Sequence, residues 1–145
     1  MKSPDGRFEV IKHDYQEVRM GSPLFGRLEI LGSRFGTLAG EFAEPVSFSP
    51  DSRFLAAAEL VSTSSNPVGR VVVLDFDRGI LVIVHSFTGL ARRFNWESDG
   101  SLAVTIWSHL GSEDTRRIWS PPPPQPQSLW NRLLRRVANI STRLS

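Results

Sequence analysis

Asp75 and Asp77 are the carboxylates whose type and spacing come nearest to those of a reactive pair. Two residues apart on a strand, they share one face, where such a pair can serve as acid and base or hold a hard cation. The residues that follow, Arg78 and Gly79, instead indicate a hairpin turn, and carboxylates at a strand end are typical of a solvated edge. We therefore predict a non-enzymatic protein.

The other groups that could do chemistry are scattered or missing. His13, His85 and His109 are far apart in sequence, and none stands in a closely spaced set of ligands. The absence of cysteine excludes a thiolate zinc site, an iron–sulfur cluster, a disulfide framework and a cysteine nucleophile. The chain also lacks a nucleophile elbow, a Walker loop and a dinucleotide-binding glycine motif. We expect no catalytic residues, no cofactor and no metal site.

Charge divides the chain into an acidic body and a basic end. Residues 1–120 carry 13 Lys and Arg against 15 Asp and Glu, a net charge of −2. Residues 121–145 carry four arginines and no acid, a net charge of +4. Four arginines give only modest affinity for phosphates. Nucleic acid is therefore not an expected partner.

Alternation of apolar and polar residues predicts strands throughout residues 1–120, with turn signals about every ten residues. We assign these residues to one all-β domain, an antiparallel meander. The two strongest strands, Arg70–Phe76 and Ile80–Phe87, are rich in Val and Ile. The others are expected at 8–12, 17–20, 27–31, 37–42, 46–48, 54–61, 92–96, 102–107 and 116–119.

The composition changes at residue 121. Residues 121–127 contain five prolines and favour a semi-rigid polyproline II linker. Ser128 is a suitable N-cap, and apolar residues then recur at three- and four-residue spacings with arginines on the other faces. Residues 128–145 are therefore predicted to form an amphipathic basic helix.

A short turn motif occurs three times. It reads Ser-Pro-Asp-Gly-Arg-Phe at 3–8, Phe-Ser-Pro-Asp-Ser-Arg-Phe-Leu-Ala at 48–56 and, one residue shorter than the second, Trp-Glu-Ser-Asp-Gly-Ser-Leu-Ala at 96–103. The aspartate is expected to cap each turn through its side chain, and Gly or Ser to complete it. The motif resembles the turn that joins the first two strands of a blade in WD-repeat and Tol-type β-propellers. The resemblance covers residues 3–119.

That resemblance implies propeller-like four-stranded units. Three incomplete units fall short of the four blades of the smallest closed propellers. The sheet is therefore expected to be an open or partial propeller, or to be closed by another copy or a partner. A β-sandwich with a shared turn is the alternative.

The expected partner is another protein. We predict contacts through exposed acidic loops around Asp75, Asp77, Glu113 and Asp114, and through the tail. In the tail, Trp130 would serve as an anchor, and Arg132, Arg135 and Arg136 would contact carboxylates or phosphates. The tail helix itself has three interpretations. It covers an open sheet face or edge, it docks on a partner or a second copy, or it binds an anionic membrane surface.

These features favour a protein-binding module. By analogy with bacterial immunity proteins, it would be a dedicated inhibitor that neutralises a cognate toxin or enzyme by occluding its active site, since an acidic body suits a basic cleft. The alternative is a membrane-surface or assembly adaptor that acts through the basic helix. The N-terminal sequence lacks an apolar run behind Lys2, which predicts a cytoplasmic protein without a secretory signal.

Overall fold

Two antiparallel sheets make up the protein. The computed structural model describes residues 1–17, 20, 23–62, 67–108 and 111–122. The seven-stranded sheet contains β1 (Glu9–Glu17), β2 (Leu24–Leu31), β3 (Gly36–Thr37), β4 (Glu41–Phe48), β5 (Phe54–Ser62), β6 (Val68–Asp75) and β7 (Ile80–Thr88). The three-stranded sheet contains β8 (Leu90–Trp96), β9 (Leu102–Trp107) and β10 (Glu113–Trp119).

The predicted all-β antiparallel fold is confirmed for the described residues. In the larger sheet the strand order is β1-β2-β4-β5-β6-β7, with β3 paired to β2. In the smaller sheet the order is β10-β9-β8, so neither sheet closes on itself. The predicted helix over 128–145 and the linker from residue 123 lie outside the described residues.

One strand prediction near the N-terminus is wrong. The strand expected at 37–42 is broken, because Gly40 adopts a φ of 104° between β3 and β4. Local alternation was continuous across this point, and turn geometry overrode it. Of the strand expected at 17–20, Glu17 belongs to β1 and Met20 lies in a turn, and the two residues between them lie outside the described ranges.

The centre of the protein is buried on both faces of β5 and β6. Alternate residues of β5 enter different clusters: Ala56 and Ala58 belong to one, Leu55 and Ala57 to the other. Such two-sided burial explains why these strands read as continuous apolar runs instead of alternating ones. The small alanines let a layer pack closely on either side.

Three layers result. On one face of β5 and β6, Ala91, Phe94, Leu102 and Val104 from the smaller sheet complete the first cluster. On the other face, the N-terminal strands and the residues next to them complete the second with Phe8, Val10, Leu28, Ile30 and Leu38. The N-terminal layer is nevertheless hydrogen-bonded to the middle one, through Phe25 opposite Ala43 and Gly26 opposite Phe42. The larger sheet must therefore bend at this junction.

The three copies of the turn motif make the same backbone hydrogen bonds. The amides of Gly6, Ser52 and Gly100 each donate to the carbonyl three residues earlier, at 2.9 Å. Asp5, Asp51 and Asp99 each accept a bond from the amide two residues later, as predicted for a capping side chain. The amide of Arg7 thereby helps to hold the pKa of Asp5 at about 2, below its usual range.

Ser52 occupies a backbone position that the other two turns give to glycine. Its φ is 62°, against 76° for Gly6 and 85° for Gly100. A side chain in this left-handed region is strained. Ser52 is completely buried, and its hydroxyl accepts a 3.0 Å bond from the amide of Asp5, which joins the second turn to the first.

We expect Ser52→Ala to lower the free energy of unfolding by about 1–2 kcal/mol, because it leaves the Asp5 amide without its partner and keeps the strain. Ser52→Gly should cost less, because glycine tolerates positive φ. Urea unfolding followed by tryptophan fluorescence measures both. If Ser52→Ala is as stable as the parent chain, the bond between the two turns contributes nothing.

Tyr15, the only tyrosine, packs over Gly26 at the bend. Its hydroxyl donates to the Ala43 carbonyl oxygen at 3.4 Å. Burial, and to a smaller extent the charge of Glu44, raises the pKa of Tyr15 to about 12.

Absorbance at the tyrosinate band should therefore show a native midpoint near 12. The pKa of Tyr15 is raised only in the folded state. The contribution of Tyr15 to the free energy of unfolding is therefore complete below about pH 10 and is lost as the pH rises towards 12. Denatured chain serves as the control and should titrate near the ordinary tyrosine value. A native midpoint equal to the denatured one would mean that the bend does not bury the phenol.

Candidate protein-binding surface

Five strands in the described part of the chain have an unpaired edge, of which three carry charge and one, β3, is only two residues long. β1 contains Glu9, Lys12, Asp14 and Glu17, β8 contains Arg92 and Arg93, and β10 contains Glu113, Asp114, Arg116 and Arg117. Charged side chains protect an edge against pairing with another strand. β7 contains no Asp, Glu, Lys or Arg, and the imidazole of His85 is its only titratable side chain. It is therefore the one edge among these five that is neither charged nor very short.

The first half of β7 exposes apolar side chains on both of its faces. Ile80, Leu81, Val82 and Ile83 are each between 39% and 50% exposed. Directly opposite residues in an antiparallel pair point to the same face. Val82 lies opposite Val73 of the first cluster, whereas Leu81 and Ile83 lie opposite Leu74 and Val72 of the second. Ile80 and Val82 thus define an inner face, and Leu81 and Ile83 an outer face.

Two open clefts lie along β7. The first is lined by both residues of the inner face and by Phe54, Val73, Asp75, Arg78, Trp119, Ser120 and Pro122. The second is lined by residues from the other half of β7 and from β9, β10 and the loop between them: His85, Ser86, Phe87, Thr88, Ile106, Ser108, Ser112, Asp114 and Arg116. Each cleft therefore combines apolar side chains with one acidic and one basic side chain.

Asp75 is not the exposed acidic residue that the sequence led us to expect. It is 4% exposed and ends β6 as a turn cap, accepting bonds from the amides of Asp77 (3.0 Å) and Arg78 (3.2 Å). The Arg53 guanidinium pairs with it at 3.2 Å, and Arg78 approaches at 3.8 Å. Burial and these four contacts fix the carboxylate in the fold, so the expectation of exposure is wrong.

The other acidic candidates are exposed but do not form one patch. Asp77 lies in the turn before β7 and pairs with Arg53 at 3.4 Å. Glu113 pairs with Arg92 at 3.7 Å, and Asp114 pairs with Arg116 in the second cleft. Pairs as exposed as these gain little from their attraction, so the carboxylates can exchange partners.

The tail candidates Trp130, Arg132, Arg135 and Arg136 lie outside the described residues, so their partner-binding role stays a prediction. His109 lies outside them as well. His13 contacts Glu29 at 3.3 Å, and His85 stacks on Phe87 with ring centroids 6.2 Å apart. Within the described ranges, no three His, Asp or Glu side chains come together as a metal site would require.

The edge position of β7 was missed by the sequence reasoning, although a signal was present. Residues 80–88 contain no Asp, Glu, Lys or Arg. Such a run is typical of a central strand that is covered on both sides. Its Val and Ile content, on which the strand prediction rested, indicates a strand but not its position in the sheet. Only the pairing order shows that one side of β7 has no neighbour among the described strands.

Comparison with known proteins gives this surface no precedent. No family model matches the chain, and neither a curated protein nor a solved structure shows significant similarity to it. The described residues also include no helix of the length and apolarity needed to cross a membrane.

Asp75→Asn should lower the free energy of unfolding by about 2 kcal/mol, because Arg53 and Arg78 lose a buried charged partner. Asp77→Asn is the matched control. It sits two residues away, is exposed, and should change stability by less than about 0.5 kcal/mol. Thermal or urea unfolding separates the two variants, and equal effects would refute the structural role of Asp75.

Proposed function

We propose that this protein is a non-enzymatic protein-binding module whose partner adds a strand to the edge of β7. The observation that carries the proposal is the uncharged edge with four exposed apolar residues in succession. Strand addition uses the free backbone groups of the edge for affinity and alternate side chains for specificity. The outer face, Leu81 and Ile83, would supply those side chains.

We further infer that the domain is a propeller-like stack of three incomplete blades. The three turns with matching hydrogen bonds support this inference, as do the three layers around β5 and β6. The first turn leads into β1, the second into β5 and the third into β9. A two-layer sandwich would not account for burial on both faces of β5 and β6. In this arrangement β7 is the outermost strand of the middle blade.

The kind of partner we propose is a toxin or other enzyme that the module inhibits by occluding its active site. The net charge of −2 on residues 1–120 supports a partner with a basic surface. Asp77 lies in the turn before β7, and Asp114 lines the cleft beside the other half of β7, next to Glu113 on β10, so acidic groups lie near both ends of the apolar edge. An apolar centre with a charged rim is the usual anatomy of a protein interface.

The test is capture of a stoichiometric partner from the native host by the full-length chain, compared with the double variant Leu81→Lys/Ile83→Lys. Lysine protects an edge by adding charge that a paired strand would have to bury. We expect affinity for the purified partner to fall by at least about tenfold, equivalent to about 1.4 kcal/mol. Val61→Lys is the matched control, because Val61 is 53% exposed on another strand.

Thermal unfolding of each variant, run in parallel, ensures that lost binding is not lost folding. Equal affinity for the double variant and the control would refute strand addition at β7. If the purified partner is an enzyme, one equivalent of the chain should abolish its activity. An enzyme partner that stays fully active in the complex would contradict the inhibitor role and favour an adaptor.

A further inference from the structure

The free edge of β7 is regular over only part of its length. In the pairing with β6, Ile83 lies opposite Val72 and His85 lies opposite Val71. Val84 is therefore the extra residue of a β-bulge, which interrupts the ladder. The regular part of the edge begins at the start of β7 and ends at this bulge. Val84 packs against the first cluster and so shares the inner face defined above.

This part of the edge is complementary to itself. When two copies are related by a two-fold axis perpendicular to the sheet, their edge strands run antiparallel and opposite residues share a face. An axis at Val82 sets that residue against Val82 of the second copy. On the inner face Ile80 then meets Val84, and on the outer face Leu81 meets Ile83. Every pair is apolar, and most members are β-branched, as is favourable for cross-strand pairs.

The neighbouring registers fit less well. An axis at Leu81 would set Ile83 against Gly79, which belongs to the hairpin turn and not to the strand. An axis at Ile83 would set Leu81, on the outer face, against His85, which shares its face with Val71 of the first cluster. The apolar pattern of β7 therefore specifies a single two-fold register.

Charge selects β7 itself as the edge with which β7 pairs best. The other long edges of the described chain, β1, β8 and β10, would each set charged side chains against it. Pairing of β7 with a second β7 brings no charged side chain into residues 80–84. The formal net charge of the full chain is only +2, so two copies repel each other weakly.

We propose that a second copy of this chain pairs with the edge of β7, in a closed two-fold dimer whose register is centred on Val82. The two larger sheets then join into one, and each copy covers the exposed apolar run of the other. The dimer itself does not depend on the proposed function. Its regulatory consequence does rest on that function: the second copy protects the edge until the partner's strand displaces it. Because the paired segment is short, dilution should dissociate the dimer and free the edge.

Sedimentation velocity of the full-length chain between about 1 and 300 µM measures the dimer. Val82→Lys sets two like charges directly opposite each other at the axis, so we expect the dissociation constant to rise at least about tenfold. Val61→Lys is the matched control, because Val61 is exposed on β5, away from the pairing. It should change the constant by less than about twofold.

A second variant separates lost pairing from lost folding. Val82→Glu alone should weaken the dimer as Val82→Lys does. An equimolar mixture of the two variants should associate at least about tenfold more tightly than either alone, because opposite charges then meet at the axis. Misfolded chains would not recover in this way.

The absence of cysteine allows the register to be tested by cross-linking. Val82→Cys sets the two thiols of the dimer opposite each other. Thr88→Cys is the matched control on the same strand, and the register separates its two thiols by about 40 Å. We expect a short bismaleimide to link two Val82→Cys chains at least about tenfold faster than two Thr88→Cys chains.

Three results would each overturn the proposal: a chain that stays monomeric throughout the concentration range, a dimer that Val82→Lys leaves intact, or equal rates of cross-linking at the two positions. None of them decides whether a different protein adds a strand to β7. A captured partner that binds elsewhere would refute strand addition and leave the dimer in place.

Discussion

Strands β5 and β6 bury both of their faces, and each face needs a layer of apolar side chains against it. The N-terminal strands supply one layer and the three-stranded sheet supplies the other. The requirement explains several features at once: the alanines of β5, the bend at Gly26 under Tyr15, and the buried turns that join one unit to the next. Removal of either layer would leave a continuous apolar strand in water.

The two layers cover the sheet less completely towards its edge. β7 continues the apolar composition of β6, but the layers on either side no longer cover it, and four of its residues remain about half exposed. The other edges carry charge or, like β3, are very short. A long apolar edge without charge is the feature on which the proposed strand addition by a partner rests.

Much of this architecture could be predicted from sequence because its causes are local. The alternation of residues in β1 and β2, the hairpin at Asp77-Arg78-Gly79 and the aspartate-capped turns depend on neighbours a few residues away. The junction at Gly40 was missed because a positive φ at one glycine interrupted an otherwise regular pattern. Ser52 shows that the repeated turn tolerates a strained residue when its side chain gains a hydrogen bond from a distant amide.

The candidate site was less predictable, because exposure depends on which strands become neighbours. Asp75 and Asp77 are equivalent in sequence pattern, yet one caps a turn inside the protein and the other faces water. The exposed run in β7 had the composition of a buried strand. The run is exposed because β7 is the last strand in the pairing order, which the sequence alone does not reveal.

Hydrogen exchange of the full-length chain, alone and with its captured partner, tests the central claim most directly. If the partner adds a strand to β7, amides of residues 80–88 become protected in the complex, because outward-facing backbone groups gain partners there. The edges β1 and β10 should exchange as before. Protection at β1 or β10, with exchange in residues 80–88 unchanged, would contradict the account.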